Sequence, residues 1–155
     1  MRFGDIVMCV ASLAVIMVLV GVPIEIVLAP ALGPYGGSYV ISAINVLLSA
    51  LIGGYVFASK IWEEARIKTI AKITVLAAVL MLFYVISFPA LPHWGPVVKD
   101  VYEAANPGVE LSNSEWFTVE SLALAKIMFI DVVMVLVLGF IGLYVGSMLR
   151  RPSGK

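Results

Sequence analysis

The sequence SLALAKIMFIDVVMVLVLGFIGLYVGSML, residues 121–149, decides the fold. A hydrocarbon core takes about 20 helical residues to cross, and this stretch is longer than that. Residues 6–29, 39–59 and 70–88 are similarly apolar and each is long enough to cross. Because a backbone in lipid must satisfy its own N–H and C=O groups, each stretch must be helical. The sequence predicts a single-domain, all-α integral membrane protein over residues 1–155, with four transmembrane helices in an antiparallel bundle.

The composition supports this class of protein. Hydrophobic residues make up 62% and charged residues 13% of the chain, against roughly 45–50% and 25% in soluble domains. The net charge is zero, which gives no reason to expect a nucleic-acid partner. We therefore expect the lipid bilayer to be the main partner.

The cationic side chains predict the orientation in the membrane. With an even number of crossings, eight of the ten Lys and Arg residues lie on one side. The positive-inside rule places that side in the cytoplasm. We expect a multi-pass protein of the cell membrane with both termini cytoplasmic. The eight residues are Arg2, Lys60, Arg66, Lys68, Lys72, Arg150, Arg151 and Lys155.

The loop of residues 89–120, on the outer side, is long for a helix connection. Apolar residues from Val97 to Ala105 fall on one helical face, which predicts a short interfacial helix that ends at Asn106-Pro107-Gly108. Ser112-Asn113-Ser114-Glu115 then predicts a capping box. The fourth helix would start near Asn113 and end at Arg150. It would be roughly 55 Å long, which exceeds the thickness of the hydrocarbon core. The helix must therefore project beyond the membrane on the outer side, tilt or kink.

The cytoplasmic connection is predicted to be helical, because residues 61–68 contain neither Gly nor Pro. Trp62 suits the headgroup boundary. The connection is then an amphipathic extension of the third helix, with a solvated hairpin connection as the simpler alternative.

Three ionisable residues inside the predicted helices need a physical reason, because charge in the membrane is costly. Glu25 and Lys126 lie at similar depth in the outer third, and Asp131 lies deeper. If Glu25 pairs with Lys126, Asp131 has no cation and tends to hold its proton. It could instead bind a cation, or pair with Lys126 and leave Glu25 near the interface. The structural alternatives are a hydrogen bond between helices for Asp131 and snorkelling to the headgroups for Lys126.

Other polar and small residues complete the candidate sites. Asn45 and Tyr84 reach the depth of Glu25 and Lys126, and Ser49 comes closer to Asp131. Small residues one turn apart let helices approach closely, either within the chain or in a homo-oligomer. The candidate packing residues are Ser49, Gly53, Gly139, Gly142 and Gly146.

No metal or cofactor site is expected. One histidine, His93, and one cysteine, Cys9, lie far apart, and no ligand spacing joins them to carboxylates. No catalytic motif is visible, so we expect no enzyme. Two function classes stay open. One is a structural or accessory component of a membrane assembly, self-associating or part of a larger complex. The other is a proton, cation or small-solute transport unit that uses Asp131.

Overall fold

The computed structural model describes residues 3–32, 37–62, 66–87, 99–100 and 102–150. Over these residues 92% of the chain is helical and no strand is present. The helices are α1 (Phe3–Leu32), α2 (Gly37–Val56), α3 (Ala58–Trp62), α4 (Arg66–Ser87), α5 (Asn113–Met134), a π-helical segment (Val135–Gly139) and α6 (Phe140–Leu149).

Three helical stretches among these residues are long and apolar enough to cross a membrane: Phe3–Leu28, Tyr39–Val56 and Asn113–Leu149. The prediction of an all-helical protein is therefore confirmed, and the three long apolar helices support a membrane protein. α4 covers almost all of the predicted third span, residues 70–88. Its crossing of the membrane, and the antiparallel bundle of four, stay predictions.

The observed helices differ from the predicted spans at most of their ends. α2 ends at Val56, short of the predicted residue 59. Phe57 forms a turn, and α3 is a separate short helix. The last helix starts at Asn113, as predicted, but it continues into the π-helical segment, which no sequence signal indicated. Such π-helical turns are rare and occur frequently at functional sites.

The described residues fall into two compact units. Unit 1 contains α1, α2, α3, α4 up to Ala78, the π-helical segment and α6. In unit 1, α2 packs against both α1 and α6. The core is formed by apolar side chains of several helices, because burial of apolar surface and close packing stabilise such contacts. Its fully buried members include Cys9, Ile61, Ile70, Ile73 and Leu143.

Glycines bring α2 and α6 into backbone contact within unit 1. A Cβ added at Gly142 would lie 2.7 Å from the Leu47 carbonyl oxygen, and one at Gly146 would lie 3.0 Å from the Tyr55 nitrogen. Gly54 of α2 lies in the same way against the backbone of Leu143. Because a side chain at these positions would separate the helices, the small residues here serve packing within the chain.

Unit 2 runs from Val79 to Val133, and it contains the short helix that was predicted before Asn106. Residues 102–105 are helical, and Gly108 in the turn that follows has a φ of +83°, a conformation that glycine adopts without strain. The ring of Tyr102 packs edge-to-face on Trp116, with 5.3 Å between centroids. The predicted end of the short helix at Asn106-Pro107-Gly108 is confirmed.

The predicted start of α5 near Asn113 is confirmed, but only the glutamate half of the predicted capping box is present, because the Ser112 hydroxyl donates to the Glu115 carboxylate. The backbone N–H of Ser112 donates to Oε2 of Glu115 over 2.9 Å, and its hydroxyl donates to the same oxygen over 2.6 Å. These two bonds, the hydroxyl's first, hold the pKa of Glu115 below its ordinary value. This first turn of α5 precedes the apolar residues 121–149, so it lies beyond the membrane-spanning part of the helix.

Candidate functional site

Asp131 lies near the end of α5, in the apolar run of residues 127–135. Its side chain is half-buried. Among the residues that the structure describes, no donor or cation bonds to its carboxylate. The π-helical segment begins at Val135, one turn further along the helix. Asp131 is thus a carboxyl group within a long apolar helix, and the described part of the chain supplies no partner for it.

The other two intramembrane charges are exposed. Glu25 lies on α1 in unit 1, two residues after Pro23, and Lys126 lies on α5 in unit 2. Neither forms an ion pair with any residue that the structure describes. The contact between Glu25 and Lys126 therefore stays a prediction.

Asn45 and Ser49 of α2 form a polar pair. The Ser49 hydroxyl donates to Oδ1 of Asn45 over 3.0 Å, and Ser49 is buried. Gly21 of α1 lies against the Asn45 amide so closely that a Cβ there would overlap it. The Ser49 hydroxyl therefore has its hydrogen-bond acceptor within α2. Tyr84 belongs to α4, but its side chain lies outside the described residues.

A small cavity lies in unit 1 beside Ser49. Its volume is about 40 Å³ and its surface is almost wholly apolar. Thr74, the second polar side chain on its wall, turns its hydroxyl back to the carbonyls of Ile70 and Ala71, 3.1 Å away in each case. A cavity of this character favours an apolar occupant over water, because a water needs two to four polar partners. It is lined by Leu13, Met17, Val46, Ser49, Ala50, Ile73, Thr74, Ala77, Val135, Gly139 and Leu143.

A cluster at the end of α6, which we call the α6 latch, consists of Trp62, Arg66, Tyr144 and Ser147. The Trp62 indole N–H donates to the Ser147 carbonyl over 2.9 Å. Arg66 donates to the Tyr144 carbonyl over 3.0 Å. Its guanidinium carbon lies 3.8 Å from the centroid of the Tyr144 ring and 4.4 Å from that of Trp62.

The α6 latch explains why these residue types meet at this end of the helix. The last carbonyls of a helix lack partners within it, and a cation near the C-terminus is favoured by the helix dipole. Trp62 of α3 supplies a donor to the Ser147 carbonyl, and Arg66 of α4 supplies the cation. The sequence placed Trp62 at the headgroup boundary; in the structure it is half-buried and bonded within the protein.

Sequence reasoning missed two further pairs. Asp5 and Lys60 form an ion pair 2.9 Å long across the chain. No local spacing signals a contact between residues so far apart. Gly54, in contact with Leu143, was also missed, although it directly follows a glycine that was selected. Gly139, which was selected, has only ordinary van der Waals neighbours, the nearest of them 3.7 Å from an added Cβ.

In the described ranges, no three His, Cys, Asp or Glu residues come together in a way that could hold a metal ion. Comparison of the chain with protein-family models, with curated proteins and with solved structures finds no match. The function must therefore be inferred from the chain itself.

Proposed function

We propose that this protein is a structural or accessory component of a membrane assembly, built as a bundle of four antiparallel transmembrane helices with both termini in the cytoplasm. Its contact with other subunits includes α5 at Asp131. The observation that carries the proposal is the half-buried Asp131, which has no partner among the described residues. Intramembrane carboxyl groups almost always face protein or a water-filled cavity, so a second subunit is the natural source of its hydrogen-bond partner.

The interior of unit 1 supports a structural role over a conducting one. No charged residue is buried in its described part. The buried polar residues are serines and threonines: Ser49, Thr69, Thr74 and Ser147. Its cavity is apolar, and glycines join its helices backbone to backbone. This apolar, close packing of the described part of unit 1 supports a structural role.

The proposal is tested by self-association of the purified protein in bilayers, measured by subunit counting. Asp131→Asn keeps the size and the hydrogen bonding of the side chain, so this variant should assemble like the wild type. Asp131→Leu should assemble less, because it cannot hydrogen-bond across helices. Val18→Leu, at an exposed position on α1, is the matched control and should leave assembly unchanged. Equal assembly of the Leu variant and the wild type would contradict the proposed contact.

The topology has its own test. In a Cys9→Ala background, a cysteine at Glu110 should react with an impermeant thiol reagent added outside the cell. A cysteine at Ser59 should not. Both positions are exposed in the structure, so the difference in labelling reports the side of the membrane. The opposite pattern would reverse the orientation.

A second function is favoured by one observation, the π-helical segment that directly follows α5. π-helical turns are frequent at functional sites, and here one lies beside an intramembrane carboxyl group. The alternative is a proton, cation or small-solute transport unit in which Asp131 binds and releases the transported ion. This role requires a titrating side chain, so Asp131→Asn should abolish flux while the variant folds and assembles normally.

A further inference from the structure

Lys68 and Lys72 of α4 form a cationic pair that has no role in the function proposed above. Both side chains are exposed, and they lie one helical turn apart. Residues four apart on a helix have their Cβ atoms about 5–6 Å from each other. Neither ammonium group bonds to an anion within the described ranges of the chain. Two like charges at this spacing repel each other unless a counter-charge lies between them.

The same face of α4 is apolar further along the helix. Val75 and Val79 are exposed, whereas Ile70 and Ile73 on the other side are buried in the core. The exposed face therefore suits the acyl chains of lipid, and the two lysines lie at one end of it. Because this reasoning places α4 in the membrane, it rests on the four-helix arrangement proposed above.

The depth of Lys72 follows from its neighbours in unit 1. Thr74 lies beside Gly139 on the last span. The helix from Gly139 to Leu149 rises roughly 15 Å. Lys72 lies two residues, about 3 Å, nearer to the Leu149 end than Thr74. Its backbone is therefore on the order of 12 Å deeper in the membrane than Leu149. Its ammonium group must reach back toward the headgroups to be solvated. That path brings it alongside Lys68.

We propose that Lys68 and Lys72 together bind the phosphate of an anionic lipid in the leaflet at the Leu149 end of the helices. The phosphate lies between the two ammonium groups, and the acyl chains cover Val75. The nearby cations of the α6 latch and of the Asp5–Lys60 pair are already engaged with protein groups. Lys68 and Lys72, by contrast, bond to no anion within the described ranges of the chain, so their charges can bind a lipid phosphate.

The test uses the full-length protein in detergent, titrated with phosphatidylglycerol while the midpoint of thermal unfolding, Tm, is recorded. The wild type should show a saturable rise in Tm. Each Lys or Arg near an anionic surface contributes about fivefold in affinity. Lys72→Gln should therefore raise the half-saturating lipid concentration about fivefold, and the double change with Lys68→Gln about 25-fold.

Two controls fix the interpretation. Lys99→Gln removes an exposed cation that pairs with Glu103 in unit 2, and the half-saturating concentration should not change. Lys72→Arg keeps the charge and should bind like the wild type, which separates loss of binding from loss of folding. Phosphatidylcholine with the same chains should give no saturable rise at these concentrations.

Three outcomes would overturn the proposal. The first is an unchanged half-saturating concentration in the double variant. The second is an equal response to phosphatidylcholine, which would show that the acyl chains alone bind. The third is the same rise in Tm with inorganic phosphate, which would show a general anion site rather than a lipid site.

Discussion

Replacing Gly146 by alanine tests the backbone packing of α2 against α6. The added Cβ would meet backbone atoms of α2, with the carbonyl carbon of Leu51 at 2.9 Å and the nitrogen of Tyr55 at 3.0 Å. Backbone atoms inside a helix cannot rotate away, so the two helices must separate. Overpacking of this kind costs about 1–3 kcal/mol. Alanine regains up to about 1 kcal/mol through its helix propensity.

With the full helix-propensity gain, the free energy of unfolding should be lower than that of the wild type by about 0–2 kcal/mol, and lower than that of Gly139→Ala by about 1–3 kcal/mol. Gly139→Ala is the matched control on the same span, because the nearest atoms to its Cβ would be 3.7 and 4.0 Å away. That variant should equal the wild type or exceed its stability by up to about 1 kcal/mol. Reversible unfolding in mixed micelles, followed by tryptophan fluorescence, measures both. If Gly146→Ala were as stable as Gly139→Ala, the close approach at Gly146 would be refuted.

Two more predictions concern the ends of helices. Arg66→Lys should lower the free energy of unfolding by about 1 kcal/mol, because a lysine cannot stack between the Trp62 and Tyr144 rings and still bond the Tyr144 carbonyl. Arg150→Lys, next to a single ring at 5.4 Å, should cost less in the same unfolding assay, and equal losses would refute the contribution of the α6 latch. Ser112→Ala should raise the pKa of Glu115 toward its ordinary value in an NMR titration, because it removes the strongest bond to the carboxylate; an unchanged pKa would exclude this bond as the cause. Since the folded pKa is lowered, the cap stabilises α5 fully above the ordinary glutamate pKa and is lost as the pH falls through the folded value.

Much of the fold could be predicted from the sequence, because lipid permits few solutions. An apolar stretch long enough to cross must be a helix. Local chemistry was equally readable: Ser112 and Glu115 predicted the start of α5, and Asn106-Pro107-Gly108 predicted the end of the short helix before it. These signals depend on residues that lie within a few positions of one another.

The features that were missed depend on contacts between distant residues. The α6 latch joins Arg66 to Tyr144, and the ion pair joins Asp5 to Lys60. No periodicity within one helix encodes which carbonyl or carboxylate lies opposite. The π-helical segment was missed for a different reason, since Val135 to Gly139 have the same apolar composition as the turns around them. Asn45 and Tyr84 were grouped with Glu25 and Lys126 by depth, and depth does not specify whether residues of different helices face one another.

Flux through liposomes that contain only the purified protein tests the central claim most directly. Proton and cation movement would be followed with internal dyes while a pH or ion gradient is imposed. A structural or accessory role predicts no flux above that of protein-free liposomes, for the wild type and for Asp131→Asn alike. A saturable, pH-dependent flux in the wild type that disappears in Asp131→Asn would contradict the claim and establish Asp131 as a transport site.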